Sequence, residues 1–388
     1  MTACIVGWSH SRFGKLDGQS IESLIVEVAR GAIADAGIDV RDVDAIYVGT
    51  FNAGMERQEF VSSLVLQADP QFRFVPATRV ENACATGSAA IHQGMNAIAA
   101  RKARFVLAVG VEKMTGISTQ DVGNCLIKAS YLPEDGAEPA GFAGVFGRIA
   151  QLYFQKYGDQ SDALARIAAK NHRNGTANPY AHMQKDFGYE FCRQVSDKNP
   201  IVAGPLKRTD CSLVSDGAAA IVLTDVETAL SMHKAIALRA AVQVNDYLPM
   251  SQRDILAFDG PTLAWARALS QARLKIDDLS LVETHDCFTM AELIEYEAMG
   301  LTPRGQGARA ILEGWTEKNG RLPVNASGGL KSKGHPIGAT GVSMHVMAAM
   351  QLTGTAGGMQ VQDAKLAGVF NMGGAAVANY VSILEPLR

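Results

Sequence analysis

The sequence predicts an α/β fold with largely parallel sheets, built from a duplicated βα unit and interrupted by an inserted segment. Three observations lead there. Strand-length apolar runs alternate with amphipathic helical patterns. Two segments recur, in the same chain order, in both halves. Between the halves, Pro, Gly, Asn, Asp and Lys become frequent.

The opening Met1-Thr-Ala-Cys-Ile-Val-Gly-Trp8 reads as a strand, without the basic flank and apolar segment of a secretory leader. Ile21, Leu24, Ile25, Val28, Ala32 and Ile33 follow at three- and four-residue steps, one apolar helix face, and Gly37 stands where that helix stops. Buried-strand patterns come next at Ala45-Ile-Tyr-Val-Gly49, at 104–110 and at 218–223. The first repeat pairs Ala36-Gly-Ile-Asp-Val-Arg-Asp-Val-Asp-Ala45 with Ala272-Arg-Leu-Lys-Ile-Asp-Asp-Leu-Ser-Leu281. The second pairs Cys84-Ala-Thr-Gly87 with Gly338-Ala-Thr-Gly341, each ahead of a helix rich in small residues and Met. Residues 117–208 read as an inserted loop domain over the core, with one helix pattern around Phe142 to Tyr157. The expected division is 1–116 with 209–229 as one half, 117–208 as the insertion, and 230–388 as the other half.

Composition narrows the function. In 388 residues, 36 Lys and Arg stand against 39 Asp and Glu, a net charge of −3, which argues against a general nucleic-acid binder. Apolar residues make up 47% and charged residues 19%, enough to bury a large core. No run approaches the roughly 18 apolar residues of a membrane span. The six cysteines include no Cys-x-x-Cys pair, which leaves free thiols and a reducing cytoplasm as the expectation.

Four segments carry candidate chemistry. Cys84 sits in Glu81-Asn-Ala-Cys-Ala-Thr-Gly-Ser88, where a helix begins, and the positive end of a helix dipole favours a thiolate. A buried structural cysteine is the competing reading. His335 lies in the Gly-rich loop Asn325-Ala-Ser-Gly-Gly-Leu-Lys-Ser-Lys-Gly-His-Pro336 and is placed to take a thiol proton; a loop histidine bonded only to neighbours is the plainer reading. The loop lacks the phosphate-cradle spacing. His285-Asp-Cys-Phe288 follows a strand, where α/β proteins place their chemistry. Asn371-Met-Gly-Gly-Ala375 reads as a tight turn between strands, whose backbone N–H groups are candidates for an oxyanion; an ordinary hairpin turn is the alternative.

Together these four segments resemble the thiolase family, specifically its sterol-carrier-protein-type branch, across essentially the whole chain. The nucleophile motif corresponds to Asn82-Ala-Cys-Ala-Thr-Gly-Ser88 and the Gly-His-Pro motif to Gly334-His-Pro-Ile-Gly-Ala-Thr-Gly341. Ser215-Asp-Gly-Ala-Ala-Ala220 matches a further family segment, and Lys170 to Tyr180 looks like the loop domain of this branch. One departure decides the branch: the second catalytic cysteine of many thiolases is replaced by Asn371, and His285-Asp-Cys-Phe288 stands where others have Asn-Glu-Ala-Phe.

The resemblance implies a duplicated, five-layer αβαβα fold. It implies thiolysis of a 3-ketoacyl-CoA, or the reverse Claisen condensation, through an acyl-Cys84 intermediate. His335 is then the base for Cys84, and Cys287 the second acid/base. His285 helps hold an enolate oxygen, and the N–H groups of Cys84 and Gly373 hold the tetrahedral oxyanion. Coenzyme A is implied as a substrate, with no permanently bound cofactor and no metal. Lys207, Arg208 and Ser212 are candidates for its phosphate end and Ser327 for its pantetheine arm, against a reading as solvated surface residues. A homodimer or homotetramer is implied, and some relatives of the branch use an OB-fold partner protein. The alternatives are a ketoacyl-synthase-like condensing enzyme, a thiolase-like retro-aldolase subunit, and a non-catalytic CoA-binding scaffold.

Overall fold

The first helix, Ile21–Ala36, forms because its apolar face is continuous and both ends are capped. The Ser20 side chain accepts the Ser23 N–H at the start, and Gly37 adopts a left-handed conformation (φ +68°) at the end. A short 3₁₀ turn, Val40–Asp42, then feeds the next strand, and the Asp42 carboxylate closes it by accepting the Asp39 N–H. In the second half the turn Ile276–Asp278 is built the same way, with Asp278 accepting the Lys275 N–H. The first sequence repeat is therefore one turn used twice.

The computed structural model describes residues 3–387. Its strands are β1 (Ala3–His10), β2 (Val43–Gly49), β3 (Ala77–Val80), β4 (Phe105–Glu112), β5 (Ile201–Ala203), β6 (Leu206–Lys207), β7 (Gly217–Asp225), β8 (Ile236–Asn245), β9 (Leu281–Glu283), β10 (Ala367–Gly373) and β11 (Ala378–Pro386). Nine of them run in the order β3-β2-β4-β7-β1-β8-β11-β10-β9. The two halves of this order mirror each other. β2 is parallel to β3 and β4, and β9 is parallel to β10 and bridges in parallel to Val324. β7 lies antiparallel between β4 and β1, as β11 does between β10 and β8. The halves meet where β1 and β8 pair at Cys4–Ala237 and Ile5–Ile236.

The expectation of largely parallel sheets is thus corrected. Parallel pairing is confined to the outer part of each half, and the centre is antiparallel. The sequence hides this, because strands covered on both faces are continuously apolar whatever their direction; every residue of β4 is buried.

Helices complete five layers. Ile21–Ala36 covers β1 and β7 on one outside, and Asp259–Ala272 covers β8 and β11 on the other. Between the halves lie Thr86–Ala99 and Ile337–Leu352, packed on each other, the latter against β4, β7 and β10. These are the helices of the second sequence repeat. Their glycines let the backbones approach closely. A Cβ on Gly87 would stand 2.7 Å from the Val342 nitrogen, and one on Gly341 would meet Ser88 and Asn371.

Residues between β4 and β7 add no strand to the nine-stranded sheet. They form helices Thr119–Leu126, Leu132–Asp135, Phe142–Tyr157, Ser161–Gly175 and Gly188–Arg193, with the β5–β6 pair. The single helix expected here is present with its expected limits, but four others accompany it. Ser161–Gly175 carries helical spacing in its first half, where Ala163, Leu164, Ile167 and Ala168 are buried, and its second half buries polar residues, Lys170, Asn171, His172 and Asn174. The Lys170–Tyr180 stretch is consequently helix end and inner turn. No described helix is long and apolar enough to cross a membrane.

The helix crossing yields a prediction. Gly87→Ala forces backbone against backbone and should destabilise the protein by about 1–3 kcal/mol or more. Gly18→Ala, with nothing within 4 Å of the added atom, should be nearly neutral. Urea midpoints of the two variants decide, and equal midpoints would remove the close approach as a constraint.

Candidate active site

Cys84 is presented by a tight loop just before Thr86–Ala99. The Thr86 hydroxyl accepts the Asn82 N–H at 2.8 Å and donates to the Ala83 carbonyl at 2.6 Å. Ala83 takes a left-handed conformation (φ +49°), which costs energy at a non-glycine residue and marks a constrained turn. The second helix repeats the device. Thr340 Oγ1 donates to the Pro336 carbonyl at 2.9 Å and lies 2.7 Å from His335 Nδ1. When the Thr340 hydrogen goes to Pro336, the hydroxyl accepts His335 Nδ1–H and His335 Nε2 keeps its lone pair.

His285 and Cys287 follow β9 on a turn in which the Cys287 N–H donates to the His285 carbonyl at 2.9 Å. The intervening Asp286 is fully buried. Its carboxylate accepts the Leu330 N–H at 2.6 Å, the Lys331 N–H at 3.1 Å and Asn171 Nδ2 at 2.8 Å, which anchors the loop leading to His335. A second strap runs through residues 212 and 213: the Ser212 N–H donates to the Cys287 carbonyl at 2.9 Å, and the His335 N–H donates to the Leu213 carbonyl at 3.1 Å. Glu112, at the end of β4, accepts the Phe51, Asn52 and Gly338 N–H groups, each at 2.9 Å, and so holds the start of Ile337–Leu352 against the first half.

These supports bring distant residues together. The Cys84 sulfur and a ring nitrogen from each of His285 and His335 lie within 4.8 Å of one another, all buried. The two rings stand edge to face, with centroids 5.1 Å apart. Neither Nε2 has a hydrogen-bond partner among the described residues. A cavity of about 600 Å³ reaches Cys84, Cys287 and His335, walled by Met114, Val122, Leu126, Phe142, Phe288 and Ile337. The Cys–His–His set is also of the kind zinc accepts, and among the described residues it is the cluster close enough to hold a metal ion.

Burial sets the charge state. The Cys84 thiol is pushed up to about 12, first by desolvation, with Glu112 and Glu81 adding to it; N–H donation from Gly374 and from Cys84 itself works the other way. Cys287 is raised well above an ordinary thiol, again by burial first and then by Cys84. His335 is lowered to about 3 by burial and the nearby Lys333, and His285 falls well below an ordinary imidazole through burial and His335. Against the expected helix-terminus thiolate, burial favours neutral thiols and neutral imidazoles, because desolvation outweighs the dipole.

The remaining candidates divide. Gly373 lies within β10, paired with Ala378, and the N–H of the next residue, Gly374, is among the groups that favour the Cys84 thiolate. Gly373 is small for a packing reason, since a Cβ there would strike the Asn82 carbonyl of the nucleophile loop. Asn371 likewise lies within β10 rather than in the turn. Arg208 is exposed at the cavity and Ser212 is half-buried on its wall. Lys207 is corrected: it is buried and paired with Asp210 at 2.9 Å, so it offers no free cation. Ser327 is corrected too, because both its hydroxyl and its N–H are spent on the buried Glu283.

Sequence reasoning misses Thr340, Glu112, the amide role of Asn371 and Arg253, whose guanidinium donates to the Ala375 carbonyl beside Gly374 at 2.5 Å. Only Thr340 carries a signal, since it matches Thr86 within the repeat.

Comparison with known proteins agrees with this geometry. The family description "Thiolase, N-terminal domain" matches residues 3–189, and "Thiolase C-terminal domain-like" matches residues 242–386. An acetyl-CoA acetyltransferase of Methanothermobacter thermautotrophicus is 36% identical over 98% of both chains. Sterol carrier protein 2 of Homo sapiens is 32% identical over 96% of this chain and 70% of its own length. Among solved structures, the Ltp2-ChsH2(DUF35) aldolase superposes with a TM-score of 0.84 at 24% identity, covering 100% of this chain and 98% of that one. Acetyl-CoA acetyltransferase from Syntrophomonas wolfei gives 0.73 at 18% identity over 99% of both chains. With both halves matched in order, and with the nucleophile loop and the Gly-His-Pro loop meeting at one cavity, this chain belongs to the thiolase family.

Proposed function

We propose that the protein is an acetyl-CoA C-acyltransferase, cleaving 3-ketoacyl-CoA with coenzyme A or running the reverse Claisen condensation. The observation that carries this reading is the meeting of Cys84, His285 and His335 within 4.8 Å, with Cys84, His335 and Cys287 lining one cavity and His285 buried behind it.

In the thiolysis direction, His335 Nε2 takes the Cys84 proton as the sulfur attacks the 3-keto carbon. The bond between C2 and C3 then breaks, leaving the acyl group on Cys84 and its electron pair in the enolate of acetyl-CoA. His335, now carrying a proton on Nε2, and His285 face the enolate oxygen, and Cys287 protonates C2. Cys287 next removes the proton of an incoming CoA thiol, whose sulfur attacks the thioester; Cys84 leaves as a thiolate and takes back its proton from His335. The N–H groups of Cys84 and Gly374 hold the tetrahedral oxyanion, and one such donor is worth about 3 kcal/mol of barrier. Arg208 meets the phosphates at the cavity mouth and Ser212 the arm within. A neutral resting pair suits this sequence, because the thiolate is generated only as a carbonyl carbon arrives to receive it.

An aldolase reading, raised by the Ltp2-ChsH2(DUF35) neighbour, needs no acylated cysteine. The retained Cys84 beside the free lone pair of His335 favours acyl transfer.

Two outcomes are expected. Cys84→Ala should abolish acyl-enzyme formation and lower kcat by at least about 10⁴. Cys287→Ala should still be acylated by acetyl-CoA but lose about 10²–10⁴ in condensation and thiolysis. Mass spectrometry of the acyl-enzyme together with steady-state rates separates them, and wild-type turnover in the Cys287 variant removes its role. Alkylation supplies the pH test. With its pKa at about 12, Cys84 should react with iodoacetamide about tenfold faster per pH unit from 7 to 10, without an inflection. A plateau from pH 6 upward would instead reveal a preformed thiolate–imidazolium pair.

A further inference from the structure

We propose that Asn371, standing where related enzymes carry a catalytic cysteine, is a positioning residue that locks His285 as the tautomer protonated on Nε2. Asn371 is fully buried on β10, and its amide has three partners. The Ser88 hydroxyl donates to Oδ1 at 2.9 Å. Nδ2 lies 3.0 Å from the Cys84 carbonyl oxygen and 3.0 Å from His285 Nδ1.

The carbonyl decides the amide's orientation. It can only accept, so the nitrogen end of Asn371 must face it, and the reverse orientation would set oxygen against oxygen. The second hydrogen of the same NH₂ then points at His285 Nδ1, which must answer with a lone pair. Burial keeps the ring neutral, with one proton to place. That proton sits on Nε2, the nitrogen without a partner in the protein. The amide is held in a fitted slot: a Cβ on Gly341 would strike both Asn371 Oδ1 and the Ser88 hydroxyl.

His335 is held in the opposite form. Thr340 takes its Nδ1–H and leaves Nε2 bare. Two neighbouring imidazoles are thereby made unlike: His335 offers a lone pair for a thiol proton, and His285 offers an N–H for a developing oxyanion. The same amide ties the backbone of the nucleophile to the ring that meets the enolate. This use of the His285 donor rests on the thiolase reading; the tautomer itself does not.

The test has two arms. In the full-length enzyme labelled with ¹⁵N-histidine, long-range ¹H–¹⁵N spectra at neutral pH should show His285 with Nδ1 unprotonated and Nε2 protonated, and His335 the reverse. The His285 signals are assigned by their loss in His285→Asn. Nδ1 protonated on His285 in the wild-type protein overturns the proposal, whether or not the enzyme turns over any thioester. The kinetic arm uses Asn371→Leu, similar in size and without a donor. Condensation of acetyl-CoA, which passes through the enolate, should fall about 100-fold. Acetyl exchange between acetyl-CoA and CoA, which does not, should fall at least about tenfold less. Equal losses in the two reactions, or wild-type rates in both, overturn the positioning role. If the wild-type enzyme shows neither reaction, the thiolase reading fails and the spectra still decide the tautomer.

Discussion

The chemistry depends on two helices touching backbone to backbone. Thr86–Ala99 and Ile337–Leu352 are equivalent members of a duplicated unit, and their first turns meet at the centre of the molecule. Just before one lies the loop of Cys84, and just before the other the loop of His335. Glycine on both sides of the crossing sets the separation, because any side chain at Gly87 or Gly341 would meet main-chain atoms of the facing helix. The two helix starts are built alike: in each, a threonine hydroxyl, Thr86 or Thr340, donates to a carbonyl of the loop before it.

The third and fourth reactive groups arrive differently. His285 and Cys287 rest on a buried polar network beneath β9. Lys170 and Glu292 form an ion pair at 2.5 Å with no solvent exposure on either side chain. Asn171 and Asn325 join that pair to Asp286 and to the Thr284 backbone. Such burial costs several kcal/mol per ion before the pairing is counted, so the network is a poor source of stability. Its value is positional: Asp286, between the two reactive residues, also fixes the loop of His335, so one carboxylate sets both sides of the cavity. A helix of the insertion contributes Lys170 and Asn171, which makes the insertion part of the catalytic support as well as the cavity wall.

How much of this is legible in the sequence follows from which signals are local. The first helix, the buried strands and the helix Phe142–Tyr157 can be read nearly to their ends, because periodicity and caps are local. The four reactive residues stand out because thiol, imidazole and glycine types are conspicuous in loops. Strand direction is misread, since pairing is decided by the connections and leaves no trace in a run such as 218–223. Ser161–Gly175 is missed although Ala163, Leu164, Ile167 and Ala168 carry helical spacing, because the Gly-, Asn- and Pro-rich texture around it reads as loop. Residue type alone assigns Lys207 and Ser327 to coenzyme A, although each has a buried carboxylate as its partner. The helix dipole, a local term, suggests a charged Cys84, whereas burial by distant segments decides its state.

On the acyltransferase reading proposed above, a second acid/base on the turn after β9 rather than on β10 has a consequence for position 371. A cysteine there would offer one weakly bonding sulfur to the space between Cys84 and His285. Once Cys287 is available as the proton carrier, position 371 is free to hold an amide, which presents two donors and one acceptor in a fixed plane. Around Cys84, where burial favours the neutral form of both thiols and both imidazoles, neutral hydrogen bonds are what remain to distinguish one imidazole from the other. On that reading the two positions are coupled: a thiol at 287 leaves position 371 to the amide that fixes the donor of His285, and together they complete the set of proton carriers and oxyanion donors.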